Sequence, residues 1–306
     1  MSLAIFATLL AVSLPVQERT VDLTPIAKVE LPALDEMSGI VKSRRFPNTY
    51  WVHNDSGDAA RIFAIQPTGD VLFKGWENRK ADAGKTPDAK PYEGISILGA
   101  FNQDWEDIAI DGDTLYLSDL GNNANARRDL GIYVVDEPNP LEAREAHLIS
   151  RIPVRYPEQT DFPPKAGYRY DCEGIFVKAG KLYIVTKERT PGGKLPVDTT
   201  VLYRLDSRRT DAVNPLKRLG ERKGLGGWVT SSDLSPNGKY LALLTQAPFA
   251  SVWIFDASGP DSQWLNKPIR QIRLNKAQQC EAIGFEDDRT VLISNEQREI
   301  FRVRVD

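Results

Sequence analysis

The 306-residue sequence holds only two cysteines, Cys172 and Cys280, and two histidines, His53 and His147. Two cysteines cannot make a disulfide scaffold, and two histidines cannot supply a histidine-rich zinc site. No CxxC pair, HExxH helix, Walker A lysine loop or GxSxG elbow occurs, which removes the common zinc-protease, P-loop and serine-hydrolase readings. A net charge of −3 leaves no basic field to recruit nucleic acid or an anionic membrane. Helical periodicity is scarce and no long linker divides the chain, so a single domain is expected. The one long apolar run, Leu3 to Leu14, is too short for a membrane span and has the length of a signal-peptide core. No Lys or Arg precedes it and no A-x-A site follows. The expectation is a leader over residues 1–17, a domain over 18–306, and a periplasmic or secreted protein. The alternative is a cytoplasmic chain beginning with a strand.

What the sequence does contain is a repeated acid at the mouth of a strand. Five segments read "SGI" from Ser38, "EDI" from Glu106, "EGI" from Glu173, "SDL" from Ser232 and "EAI" from Glu281, 49 to 68 residues apart. A second strand follows each: "TYWVHND", "TLYLSDLG", "KLYIVTKE", "YLALLTQ" and "TVLISNEQ". A third comes after a polar turn: "RIFAIQ", "GIYVVDE", "VLYRLD", "VWIFDA" and "IFRVRVD". These runs are β-branched and aromatic and are bounded by Gly, Asn, Asp and Pro, as strands are. Weaker fourth strands precede the next motif, as in "HLISRIPV" and "IRQIRL". Four antiparallel strands repeated radially predict an all-β fold, a single β-propeller. The fifth unit ends at Asp306 after three strands, and "TVDLTPIAKVEL" (20–31) has no unit of its own. An N-terminal strand should therefore close the ring. Five blades are expected. Six is the rival, because 71–103 is long and carries its own "YEGI" at 92–95.

The motif opens the innermost strand of each blade, so Ser38, Glu106, Glu173, Ser232 and Glu281 should gather around the tunnel entrance. Residues two places earlier, Glu36, Asp104, Asp171, Thr230 and Gln279, share a strand face with them and also carry oxygen. Cys172 and Cys280 fall at equivalent positions of non-adjacent blades, too far apart for a disulfide. Crowded carboxylates need either protons or a cation. Oxygen-only ligands suit hard ions, and Ca²⁺ accepts an irregular ring more readily than Mg²⁺. The other reading is a water-filled tunnel whose acids bond to backbone amides.

In its order Ser, Glu, Glu, Ser, Glu, the ring resembles that of the calcium-activated nucleotidases, the five-bladed apyrase propellers. Ser38 in "EMSGI", Glu106 in "WEDIAI", Glu173 in "CEGIFV", Ser232 in "SSDLS" and Glu281 in "CEAIGF" match that family's tunnel ligands in order. The resemblance implies bound Ca²⁺ and an activity on phosphoanhydrides. A looser similarity is to SdiA-regulated and esterase-like phytase propellers. Where the apyrases carry an Asp-Asp-Arg-Thr-Gly turn, this chain has "HNDSGD", with His53 and Asn54 for the acids and Asp55 for the arginine. Lys187 in "TKER" matches a basic pair of that family.

The ends of the second strands return to the same mouth. Candidate proton acceptors there are Asp55, Asp119 and Asp104, and His53 could serve as acid or base or simply bond to the turn backbone. Candidate phosphate contacts are Lys187, Arg189, Arg127 and Arg298, with Arg128 beside them. Two functions follow. One is an exported calcium-dependent hydrolase acting on a small anionic phosphoanhydride or phosphoester. The alternative is a calcium-stabilised propeller that binds a ligand or protein and catalyses nothing. Inward-pointing arginines would favour the first, and an acidic mouth without them the second.

Overall fold

A computed structural model of the chain describes residues 15–73 and 92–306. Strands β1 (Gln17–Asp22) and β2 (Ala27–Lys28) come first. Blade one holds β3 (Met37–Lys42), β4 (Tyr50–Asn54), β5 (Arg61–Ile65), β6 (Val71–Leu72) and β7 (Ile95–Leu98). Blade two is β8 (Ile108–Asp111), β9 (Thr114–Asp119), β10 (Gly131–Asp136) and β11 (Glu145–Arg155). Blade three is β12 (Tyr168–Lys178), β13 (Lys181–Arg189), β15 (Thr200–Leu205) and β17 (Lys217–Arg222), with the two-residue β14 (Pro196–Val197) on β13, while the two-residue β16 (Asn214–Pro215) pairs in parallel with β11 of blade two. Blade four is β18 (Gly227–Leu234), β19 (Tyr240–Pro248), β20 (Ser251–Asp256) and β21 (Pro268–Asn275). Blade five is β22 (Cys280–Asp287), β23 (Thr290–Asn295) and β24 (Glu299–Arg304).

The chain is a five-bladed β-propeller. Its innermost strands touch in a closed circuit, β3 to β8 to β12 to β18 to β22 and back to β3. Five apolar clusters sit between the blades, one for each neighbouring pair. Alternation along one strand supplies two of them: Leu182 and Ile184 of β13 face blade two, while Tyr183 and Val185 face blade four. Residues two apart share a face of a strand, so a blade covered on both sides needs apolar residues at every position. That explains the near-continuous hydrophobic second strands of the sequence.

Closure comes from the N-terminus, as expected. Strand β2 pairs antiparallel with β24, Ala27 opposite Ile300 and Lys28 opposite Glu299, and becomes the outer strand of blade five. Strand β1 adds a feature the sequence did not announce: it pairs in parallel with β21 and forms a fifth strand on blade four. One N-terminal segment thus covers the outer edges of two adjacent blades. The six-blade alternative fails at "YEGI". Ile95 opens β7, which pairs antiparallel with β5 and parallel with β11 on the periphery, so this stretch is an outer strand and not an inner one. The Leu3–Leu14 run lies outside the described residues. Among the described residues, no helix is long and apolar enough to cross a membrane.

Candidate metal centre

Local irregularity aims the motif carboxylates. In β12, Cys172 pairs with Thr186 and Gly174 with Val185, which leaves Glu173 as the extra residue of a β-bulge. In β22, Cys280 pairs with Asn295 and Ala282 with Ser294, so Glu281 occupies the same place. Shifts also interrupt β3 between Met37 and Ile40 and β18 between Val229 and Ser231. A bulge re-aims a side chain while the strand continues. In β12 it lets the consecutive Cys172, Glu173 and Gly174 be buried at once, with Glu173 toward the tunnel.

The middle position of each motif is small or acidic for reasons of packing and bonding. A Cβ on Gly39 would lie 2.5 Å from His53 Nε2 and 2.9 Å from the Asp107 Cα. One on Gly174 would lie 2.3 Å from Ser232 Oγ. Where the position is acidic, it ties blades together. Asp107 Oδ2 accepts from the Ile175 amide of blade three at 3.0 Å and from Ser231 Oγ of blade four at 3.4 Å. Asp233 Oδ2 accepts from the Phe285 amide of blade five at 2.7 Å. Burial pushes the Asp107 carboxyl well above the usual carboxylate range, and pushes Asp233 up to about 6, against the pull of those amide donors.

Toward the mouth lie two carboxylate nests that share Glu106. One holds Asp55, Asp104 and Glu106, the other Glu106, Asp171 and Glu173, with the contributing oxygens of each within 4.8 Å of one another. Oxygens that share one Ca²⁺ at roughly 2.3–2.6 Å can be up to about 5 Å apart, so this spacing suits a shared cation. Glu106 and Glu173 are buried, whereas Asp55 and Asp104 are half-buried and form the outer rim. Gly121 leaves room for the outer nest: a Cβ there would sit 2.3 Å from Glu106 Oε1 and 2.4 Å from Asp104 Cγ.

The charges are poorly matched. Burial first, then the neighbouring Glu173 and Asp55, raise the Glu106 carboxyl well above its ordinary value. Burial does the same to Glu173, against the pull of Lys187, whose ammonium donates to Glu173 Oε1. Burial and the charges of Asp171 and Asp55 bring Asp104 up to about 6, and Arg127 opposes them. For Lys187, burial pulls downward, but Glu173, Asp171, Glu106 and Glu281 outweigh it and hold the ammonium charged. One lysine therefore faces a crowd of carboxylates. Asp171 Oδ1 accepts from the Asn122 amide at 2.6 Å, while the buried Oδ2 has no hydrogen-bond donor. Arg189 Nη2 stands 4.0 Å from that oxygen, an ion pair too long for a hydrogen bond. The oxygen-only donor sets of both nests, with the space beside Gly121 in the outer nest and the undonated Asp171 Oδ2 in the inner one, fit a hard cation such as Ca²⁺.

Ser38 Oγ donates to the Glu106 carbonyl at 2.8 Å, so it bonds across blades one and two. Ser232 Oγ is buried without a partner. Glu281 accepts from Gln246, and burial raises it to about 7 despite Lys187. His53 is fully buried and packs edge-on to Trp105, 5.8 Å between ring centroids. Its Nδ1 lies 2.8 Å from the Asn54 carbonyl, which assigns the proton to Nδ1, and burial lowers its pKa. Of the two roles weighed for His53, the backbone bond is the one this position provides. Asp119 accepts from Arg127 Nη2 and from the Asp104 amide, each at 3.1 Å, so it anchors the rim. Arg127 also donates to the Gly121 carbonyl at 2.8 Å. Arg298 donates to the Leu31 carbonyl at 3.2 Å, next to the closing strand. Cys172 and Cys280 are free and buried in blades three and five.

No protein-family model and no curated protein matches this sequence. Among solved structures, a chain in the crystal structure of the mitotic checkpoint complex overlays with a TM-score of 0.42 and 10% identity, over 99% of both chains. The propeller fold rests on the closed strand circuit rather than on that overlay. The likeness to the calcium-activated nucleotidases rests on the motif order alone.

Proposed function

We propose that this propeller binds a calcium ion at the outer carboxylate nest and uses it to act on a small phosphoanhydride or phosphoester. The observation that carries the reading is the division of charge between the two nests. The inner nest already has a cation, because Lys187 bonds to Glu173. Asp55, Asp104 and Glu106 have none of their own among the described residues, since Arg127 is directed at Asp119 and Gly121. A cation held by Asp55, Asp104 and Glu106 would relieve their repulsion, and the half-buried rim would leave it open to a ligand. Bound there, calcium would polarise a phosphoryl oxygen by its charge. Asp55, on the half-buried rim, would take a proton from a water at the mouth through a carboxylate oxygen turned away from the cation. Asp119 fixes Arg127, and through the Asp104 amide it fixes the rim. Export into a calcium-rich compartment would suit this chemistry and accords with the apolar run before the domain.

A second reading, a calcium-stabilised propeller that only binds, is favoured by one observation. Lys187, Arg127, Arg189 and Arg298 are each engaged within the protein, by Glu173, by Asp119, by Asp171 and by the Leu31 carbonyl. No phosphate contact is then left to them without rearrangement. Calorimetric titration with Ca²⁺ and Mg²⁺, paired with a phosphate-release screen over nucleotides and simple phosphoesters, separates the two. Calcium binding abolished by Glu106→Gln, with phosphate release that needs calcium, supports the hydrolase. Calcium binding without any release supports the binding module. No binding of either ion sinks both.

A further inference from the structure

A cavity of about 300 Å³ lies outside the tunnel, where blades two and three meet. The loop entering β10 gives it Arg127 and Arg128, the end of β11 gives Arg155, and the connection to β12 gives Tyr156, Gln159 and Phe162. The pairing of Gly131 with Asp119 and with Pro153 puts this cavity on the same face of the propeller as the carboxylate nests.

Its chemistry is opposite to theirs. Three arginines line it and no carboxylate does, in a chain with 42 acidic and 39 basic residues. Arg127 is neutralised by Asp119 and Asp129, at 3.1 and 3.2 Å. Arg128 and Arg155 have no ion-pair partner among the described residues, and both are exposed. The Arg128 guanidinium lies 3.9 Å above the centre of the Phe162 ring, which limits its rotamers and turns its donors sideways along the ring. Buried apolar side chains of Leu130 and Val154 form a wall. Two uncompensated guanidinium groups beside an apolar wall are complementary to a ligand with both an anionic head and an apolar body.

We propose that this cavity binds a small organic anion, an aromatic or short apolar group bearing one carboxylate or phosphonate-like head. The head lies between Arg128 and Arg155, and the body lies against Leu130, Val154 and the edge of Phe162. The site is independent of any cation in the carboxylate nests, so it stands or falls apart from the calcium reading.

The test is calorimetric titration of the full chain with phenylphosphonate and with benzoate, in excess EDTA so that no cation occupies the nests. Saturable 1:1 binding is expected, with benzyl alcohol at least roughly tenfold weaker because it lacks the charge. Arg128→Ala and Arg155→Ala, both exposed positions, should each weaken binding by roughly tenfold, the scale of one charge-assisted contact. Arg155→Lys should keep a larger share of the affinity than Arg155→Ala. Absence of saturable binding by either anion overturns the proposal, and so does binding that both alanine variants leave unchanged.

Discussion

Gly121 and Glu188 show how single residues set the two kinds of electrostatic demand in this protein. Gly121 leaves space beside Asp104 and Glu106, and any Cβ there meets their side chains at 2.3–2.4 Å. Gly121→Ala must push those carboxylates apart, while the backbone around it can keep its form. Calcium affinity should fall by at least roughly tenfold in calorimetry, the cost of spoiling one strong ligand contact. The melting temperature in chelator should change by only a few degrees. Unchanged affinity would place the ion elsewhere. Glu188 poses the other demand. Burial raises its carboxyl to about 6, and the Arg169 guanidinium 3.7 Å away only partly opposes it. The folded state thus holds this proton more tightly than the unfolded chain, whose ordinary value is 4.5. The stability that it contributes is complete below about 4.5 and is lost as pH rises through about 6. Glu188→Gln should therefore raise the melting temperature at pH 8 by a few degrees and leave it nearly unchanged at pH 4.5. Equal shifts at both values would rule out the proton linkage.

At the scale of elements, the N-terminal segment makes two unequal contacts. Strand β1 is mostly exposed and lies outside an already four-stranded blade. Strand β2 instead supplies the missing strand of blade five, and the fully buried Val29 follows it into the cluster between blades five and one. Deleting residues 1–24 should lower the melting temperature by a few degrees. Deleting residues 1–31 should lower it by roughly 10 °C or more and promote aggregation, because β24 becomes a bare sheet edge. Equal melting of the two truncations would mean that β2 does not close the ring. This closure was legible in the sequence, because the last unit lacks a strand and 20–31 lacks a unit. The second strands were legible too, since burial on both faces makes them continuous apolar runs. The bulges at Glu173 and Glu281 were not, because inserting one residue against a partner strand leaves no mark on composition. The "YEGI" at 92–95 misled for the same reason. Three residues read alike on an inner strand and on an outer one, and only pairing with β5 and β11 separates the cases. Nor does the sequence mark Asp107 as a tie between blades, yet its carboxylate is committed to amides of the neighbouring blades.

For the whole molecule, the question is what holds the mouth of a five-bladed ring against its own charge. The lower part of the tunnel is tied by Asp107 and Asp233, each bonded across blades. The mouth has Lys187 against Glu106, Asp171, Glu173 and Glu281, with Asp55 and Asp104 at the rim. Those carboxylates come from blades one, two, three and five, so a cation drawn to them would tie these blades together at the mouth. A ligand that binds only the folded state stabilises it by mass action, about 2.7 kcal/mol at a free concentration of 100 times the dissociation constant. For a domain somewhat larger than 250 residues, that corresponds to an upward shift of roughly 4–5 °C. Excess EDTA should lower the melting temperature by about that amount, and calcium should restore it more fully than magnesium, whose octahedral demand the irregular nest does not meet. Glu106→Gln, at the residue both nests share, should abolish the calcium response. Glu173→Gln should only blunt it, because Glu173 already has Lys187 as its partner. A melting temperature indifferent to chelator, with no metal found by elemental analysis, would mean that protons and Lys187 alone balance the mouth. The raised carboxyls of Glu106 and Glu173 would then be the resting state of the tunnel.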